Sequence, residues 1–362
     1  MSQDEPIQPC IRVLIVDDSA FMRTALTRMI SSEGGIEVAG TACNGAEALS
    51  KIPALDPDVV TLDVEMPGLN GVETLRAIMS RFPRPVIMVS SVTEKDADET
   101  FDALAAGAFD YVPKHLSSNS LDILHIREAL ITKIEAAAHV RRSRIAVVPP
   151  RKPVQPSMPE YRASDAITPS IVALGTSTGG PKALQDILPV FPRDLGVPIL
   201  IVQHMPPGFT GPFAQRLNAL CAIEVCEAKH QEEIRPGVVY IAPAGLHMTV
   251  ERNTDSRAVI SLNAQHEDCL HVPSVDVMMK SVAGAFRNST LGVIMTGMGA
   301  DGAEGMRAIF KQGGLTIGQD EASCAVYGMP RACAERGILN RIVPLSQIPA
   351  QIMQATRYRK RA

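Results

Sequence analysis

The chain has 362 residues, 46% of them hydrophobic and 20% charged, with a formal net charge of −4. At roughly 100–200 residues per domain this length favours two domains, and the composition excludes a disordered chain, a collagen-like chain and a disulfide-stapled miniprotein. The charge makes no electrostatic case for nucleic acid, and with no tryptophan the chain lacks the best base-stacking side chain.

The first residues, MSQDEPIQPC, have neither the basic nor the apolar region of a signal peptide. No apolar run approaches the ~20 residues that cross a bilayer. Seven scattered cysteines without a CxxC pair fit free thiols in a reducing compartment. The expectation is a cytoplasmic protein without membrane insertion.

From residue 11 to 139, apolar runs alternate with helical patterns. Strands are predicted at Ile11–Val16, Ile36–Ala39, Val59–Val64, Val86–Val89 and Phe109–Val112. Helices are predicted at Phe21–Ile30, Gly45–Leu55, Val72–Arg81, Glu94–Ala106 and Leu121–Ala138. This alternation predicts a parallel α/β sheet with helices on both faces and functional groups at the carboxyl ends of its strands; the fold expected is flavodoxin-like, with the strand order 2-1-3-4-5. Residues 140–169 are rich in proline and locally basic, the pattern of a semi-extended linker. A second α/β doubly wound domain is predicted over 170–355. Its strands are Ile171–Leu174, Val197–Val202, Val238–Ala242, Gly292–Met295 and Leu315–Gly318, its helices include Lys182–Leu188 and Val275–Phe286, and an antiparallel hairpin is added at His247–Leu262.

In the first domain, Asp17 and Asp18 follow strand one, Asp63 ends strand three, Ser90 ends strand four and Lys114 follows strand five. The predicted strand order brings these to one rim. Clustered carboxylates repel unless a cation sits among them, and oxygen donors favour Mg²⁺. An Asp63 oxygen could then attack a phosphoryl group, with Lys114 balancing charge. Each feature alone is ordinary; their shared position is specific.

The segments LIVDDSAFMR, TLDVEMPGLNG, VIMVSS and DYVPK resemble the receiver domain of two-component response regulators. The resemblance implies that Asp63 is the phosphoacceptor and that Asp17, Asp18 and Asp63, with the backbone carbonyl of Glu65, hold Mg²⁺. It makes Ser90 the switch hydroxyl and Lys114 the phosphate contact. His115 stands where the family often has proline.

The second domain opens with IVALGTSTGGPKAL, a strand, a glycine-rich turn and a helix. Ser177 lies in the turn, near backbone N–H groups that favour negative charge. The plain structural alternative is a helix cap. His204 follows the next strand and could take the serine proton. Asp301, in the glycine-rich loop after Gly292–Met295, could orient His204; its alternative is a cap on the following helix. The chain order Ser, His, Asp and the lack of a GxSxG elbow argue against an ordinary lipase or esterase.

LGTSTGGPKAL, IVQHMPPGFT, HVPSVDVMM, VIMTGMGADGAEGM and QDEASCAVYGMP closely resemble the catalytic domain of the chemotaxis protein-glutamate methylesterase/glutaminase family. The resemblance implies Ser177 as nucleophile, His204 as base and Asp301 as its partner, with the Met298 and Thr178 amides as oxyanion donors. His271 is an accessory candidate, read here as a structural histidine at the pocket edge. The implied substrates are γ-methyl-glutamates, and also glutamines, of methyl-accepting chemoreceptors. The implied phosphodonor is a histidine kinase of a chemosensory array, with Mg²⁺ serving the receiver and no cofactor serving the esterase step. Control is expected through a receiver that inhibits the esterase until Asp63 is phosphorylated. The alternatives are a phosphorylation-switched binding protein with an inert second domain and a metallohydrolase using His204, His247, His266, His271 and Asp301.

Overall fold

Buried β-branched and leucine-rich runs build two separate parallel sheets. The computed structural model describes residues 10–90, 94–114, 120–139, 168–252, 257–264 and 271–358, and the chain divides into two compact units. The predicted linker falls almost wholly outside the described residues, as does His115.

In the first unit, β1 (Ile11–Val16), β2 (Ile36–Ala42), β3 (Val59–Asp63), β4 (Val86–Ser90) and β5 (Asp110–Pro113) form one parallel sheet ordered β2-β1-β3-β4-β5. The order is the predicted one. The helices are α1 (Ala20–Ser31), α2 (Gly45–Leu55), α3 (Gly71–Arg81), α4 (Glu94–Ala105) and α5 (Ser120–Ala138). Local chemistry starts several of them. Ser19 caps α1 and Asn44 caps α2, and Asn70 with Glu73 forms a reciprocal capping box on α3. One core of this unit joins Val13 and Ile15 to Leu26, Ile30, Leu130 and Ile134.

In the second unit, β6 (Ile171–Thr176), β7 (Ile199–Gln203), β8 (Glu224–Glu227), β9 (Val238–Ile241), β12 (Thr290–Ile294), β13 (Leu315–Gln319) and β14 (Arg341–Val343) form a seven-stranded sheet. Its order is β14-β13-β12-β6-β7-β9-β8, and every pairing is parallel. From β6 the chain moves to β7 on one side and later returns to β12 on the other. The strand order therefore reverses beside β6, the place where open α/β sheets bind their ligands at the carboxyl ends of the strands. The helices are α6 (Gly180–Ile187), α7 (Thr210–Leu220), α8 (Val275–Phe286), α9 (Ala303–Lys311), α10 (Met329–Glu335) and α11 (Ile348–Ala355).

The hairpin β10 (His247–Arg252) and β11 (Ala258–Asn263) is an antiparallel sheet of its own. Its Met248, Val250 and Ile260 bury against Met278, Met279 and Val282 of α8. Sequence patterning overlooked β8, β14, α7, α10 and α11. The strands are short, and β8 carries glutamate at both ends. In α7, Gly211 and Pro212 read as breakers, yet both fall in the first turn, where a missing N–H costs nothing. No helix among the described residues is long and apolar enough to cross a membrane.

Candidate active site

The first unit gathers Asp17, Asp18, Asp63, Ser90 and Lys114 at the carboxyl ends of β1, β3, β4 and β5. Backbone donors fix the acids. Asp17 Oδ1 accepts the Ser19 N–H at 2.9 Å, and Asp63 Oδ1 accepts the Glu65 N–H at 3.1 Å. Their Oδ2 atoms face Lys114 Nζ at 3.2 and 2.5 Å. Burial pushes the Asp63 carboxyl up to about 6, against the pull of Lys114 and with the added repulsion of Asp17. Burial opposes charge on Lys114, but the two carboxylates hold its pKa above the ordinary range. Ser90 is buried and its Oγ accepts a hydrogen bond from Thr100 Oγ1 at 2.8 Å.

Carboxylate oxygens of Asp17, Asp18 and Asp63 lie within 4.8 Å of one another. Three acids with hard oxygen donors outweigh the single Lys114 ammonium beside them. That donor set fits a small divalent cation such as Mg²⁺.

The second unit builds its site from the loops after β6, β7 and β12. Ser177 does not cap a helix. Gly179, at φ +75°, precedes α6 and no side chain caps it. Gln203 Nε2 donates to the carbonyls of Ser177 at 3.0 Å and His204 at 2.9 Å, and the His204 N–H reaches Thr176 O at 3.2 Å. The Ser177 N–H donates to Thr296 O at 3.0 Å, tying the β6 loop to the β12 loop. Thr296 Oγ1 donates to Thr178 O at 2.9 Å and accepts the Val326 N–H at 3.0 Å, adding the loop before α10.

His204 Nε2 pairs with Asp301 Oδ2 at 2.8 Å. Its Nδ1 is buried without a hydrogen-bond partner among the described residues. Asp301 does not cap α9 through its side chain; Gly302 stands at that position. Instead it reaches the start of α8. Asp301 Oδ2 also accepts the Val275 N–H at 2.8 Å, and Oδ1 accepts Ser274 Oγ at 2.9 Å, the Asp276 N–H at 3.0 Å and the Gly302 N–H at 3.0 Å. Burial alone would raise this carboxyl, yet His204 and the α8 amides hold it well below the usual carboxylate range. His271 stacks on His204 with ring centroids 4.2 Å apart and an interplanar angle of 27°. Burial and the nearby His204 lower the His271 pKa, which favours the neutral ring.

A Cβ on Gly297 would lie 2.9 Å from Ser177 Cβ, so the Met298 peptide begins directly beside the serine. Among the described residues, neither the Met298 nor the Thr178 amide is used in a hydrogen bond. Gly175, Gly179 and Gly180 are each crowded by neighbouring parts of the chain. Cβ atoms there would meet Val275 at 2.2 Å, Ala325 at 2.4 Å and Gln203 Oε1 at 2.0 Å, so the glycines make room for the protein itself. Sequence reasoning missed Gln203, Ser274 and Thr296. Ser274 carried a usable signal, a serine before an apolar helix with Asp276 in the first turn. Gln203 and Thr296 show as buried polar residues only once the fold exists. Among the described residues, the acids Asp17, Asp18 and Asp63 lie close enough together to hold a metal ion, and His204, His271 and Asp301 do not form such a group; His247 points its Nδ1 at the Ser274 N–H, and His266 lies outside the described residues.

An acidic rim on one doubly wound unit, and a serine beside a His–Asp pair at the switch point of another, define a response regulator whose output domain is a hydrolase. Residues 172–352 match the CheB methylesterase family, and residues 13–124 match the response regulator receiver domain. The chain belongs to the CheB methylesterase family and carries a receiver domain ahead of the methylesterase domain. It is 45% identical to the protein-glutamate methylesterase/protein-glutamine glutaminase of Pyrococcus horikoshii, over 95% of this chain and 93% of that protein. The similarly named protein of Lawsonia intracellularis is 42% identical over 95% of this chain and 99% of its own. The crystal structure of the Thermotoga maritima CheB methylesterase catalytic domain aligns with a TM-score of 0.50 and 36% identity, covering 52% of this chain and 99% of that one.

Proposed function

We propose that this chain is a phosphorylation-activated protein-glutamate methylesterase and protein-glutamine glutaminase acting on methyl-accepting chemoreceptors in the cytoplasm. The observation that carries the reading is the His204–Asp301 pair, held at 2.8 Å beside a Ser177 whose backbone is bonded to the same loops. Ser177 Oγ attacks the γ-ester carbonyl of a receptor glutamate. With Nε2 committed to Asp301, the nitrogen of His204 that takes the serine proton is Nδ1, which has no other partner. The Met298 and Thr178 amides receive the tetrahedral oxyanion. His204 returns the proton to the leaving methoxide, releasing methanol and leaving an acyl-serine. Water, deprotonated by the same histidine, frees the glutamate. A receptor glutamine follows the same path and loses ammonia. His271 stacks on the ring of His204 and limits it on one face.

Asp63 is the phosphoacceptor. Asp17, Asp18 and Asp63, with the Glu65 carbonyl, would hold Mg²⁺, which supplies positive charge for the phosphoryl oxygens. Lys114 contacts the acquired phosphoryl group and Ser90 turns towards it, which changes the receiver surface. The donor is a histidine kinase of a chemosensory array. The esterase step uses no cofactor in this reading.

The test is methanol release from methylated chemoreceptor, for wild type and Ser177→Ala, with and without a small-molecule phosphodonor and Mg²⁺. Wild type is expected to turn over and to gain rate with the donor, and Ser177→Ala to be inactive although Asp63 still accepts phosphate. No methanol from either protein, with Asp63 phosphorylated, would leave a switched binding protein instead.

A further inference from the structure

The orientation of Asp301 is over-determined by the start of α8. A carboxylate that merely paired with His204 would leave three lone-pair positions to solvent. Here Oδ1 takes three donors and Oδ2 takes two, and they come from three segments: the His204 loop, residues 274–276 and Gly302. Among these donors besides His204, Ser274 Oγ is the side-chain one.

Ser274 is itself locked. It is 4% exposed. Its N–H donates to His247 Nδ1 at 3.2 Å, and His247 is fully buried in β10. Its Oγ accepts the Val277 N–H at 3.4 Å as the cap of α8. With that lone pair in use, the hydroxyl hydrogen is directed to Asp301 Oδ1 at 2.9 Å.

We propose that Ser274 is a positioning residue for the hydrolytic site, whose hydroxyl fixes the Asp301 carboxylate so that His204 is gripped at Nε2 and offers Nδ1 to Ser177. This rests on the pairing of Asp301 with His204 in the reaction proposed above. The donors on Asp301 also have an electrostatic consequence. Each withdraws negative charge from the carboxylate, so Asp301 stays ionised and the His204 imidazolium is stabilised less than by a bare carboxylate. Among the described residues, the other titratable groups around the pair are His271, stacked on His204, and Asp276 in the first turn of α8, with Lys280 near Asp276. Removing the hydroxyl therefore has two separable effects. Misorientation lowers the rate, and a more negative Asp301 attracts positive charge on His204 more strongly, which the acid limb of the rate profile reads.

The experiment measures methanol release against pH with the phosphorylated full-length protein, together with thermal melting. Ser274→Ala and Ser274→Gly are each expected to lower kcat roughly tenfold, the scale of one hydrogen bond to a charged group, with KM little changed. The acid limb of the profile is expected to move to higher pH, and Ser274→Thr is expected to recover most of the rate. Glycine caps helices nearly as well as serine, so Ser274→Gly should melt close to wild type, separating the hydroxyl's effect on the site from its effect on α8. If Ser274→Gly retained wild-type kcat and acid limb while Asp301→Ala was inactive, Ser274 would be a helix cap and nothing more. A rate that fell only with the melting temperature, on an unmoved acid limb, would overturn the proposal in the same way. Wild-type kcat in Asp301→Ala would instead remove the pairing on which the proposal stands.

Discussion

Asp63 and Asp301 are both buried aspartates at strand ends, and their surroundings push them in opposite directions. Asp63 shares its place with Asp17 and one lysine, and burial carries its carboxyl from 3.8 to about 6. Asp301 is surrounded by donors and sits well below 3.8. The linkage signs follow. A raised acid contributes stability that is present below its unfolded pKa and lost as pH rises through its folded value. In metal-free protein the Asp63 contribution is therefore lost between about pH 4 and pH 6. A depressed acid contributes stability present above its unfolded pKa, and the Asp301 contribution disappears as pH falls below about 3.8. Thermal melts in EDTA across this range are expected to show Asp63→Asn removing the loss on the alkaline side and Asp301→Asn removing the loss on the acid side. The identities of both aspartates were legible in the sequence, because each ends or follows a strand. Their opposite shifts were not, because all the donors on Asp301 except the adjacent Gly302 N–H come from residues 25 positions or more away in the chain.

At the scale of elements, the site is a joint between the β6 turn, the loop after β12 and the first turn of α8. Gly175 is the point where β6 meets α8 most closely, a Cβ there falling 2.2 Å from Val275 Cγ1. A methyl there must push the start of α8 away from β6, and with it the amides that hold Asp301. Gly175→Ala is expected to destabilise the second unit by about 1–3 kcal/mol, the usual cost of overpacking, and to lower methanol release beyond that loss. Melting and kcat measured on the same preparation check this. A variant that lost stability but kept full kcat would show that α8 can move without disturbing Asp301. Regular elements were legible wherever local chemistry and periodicity agreed, as in α2 and α8, whose observed bounds are the predicted ones. Legibility failed at β8 and β14, the edge strands, since an edge strand needs no alternating apolar face to hold its place.

At the scale of the whole molecule, the two units place their chemistry by one rule, at the strand ends beside the reversal of strand order. A ligand that binds one folded unit stabilises that unit by mass action. Mg²⁺ is therefore expected to raise the melting temperature of the receiver unit, and Asp17→Asn to abolish that response while leaving the melting of the methylesterase unit unchanged. Calorimetry of the full-length protein with Mg²⁺ or EDTA measures both. By itself the sequence determined the number of units, the α/β class of the first sheet, and which residues stand at strand ends, because these follow from hydrophobic period and turn chemistry over short stretches of chain. Tertiary structure alone decided which nitrogen of His204 faces Asp301, that Asp301 is seated on α8 rather than capping α9, and that Gln203, Thr296 and Ser274 bind the loops together. Those facts depend on contacts between segments far apart in the chain, where the energy of a buried polar group is set by partners that no local pattern contains.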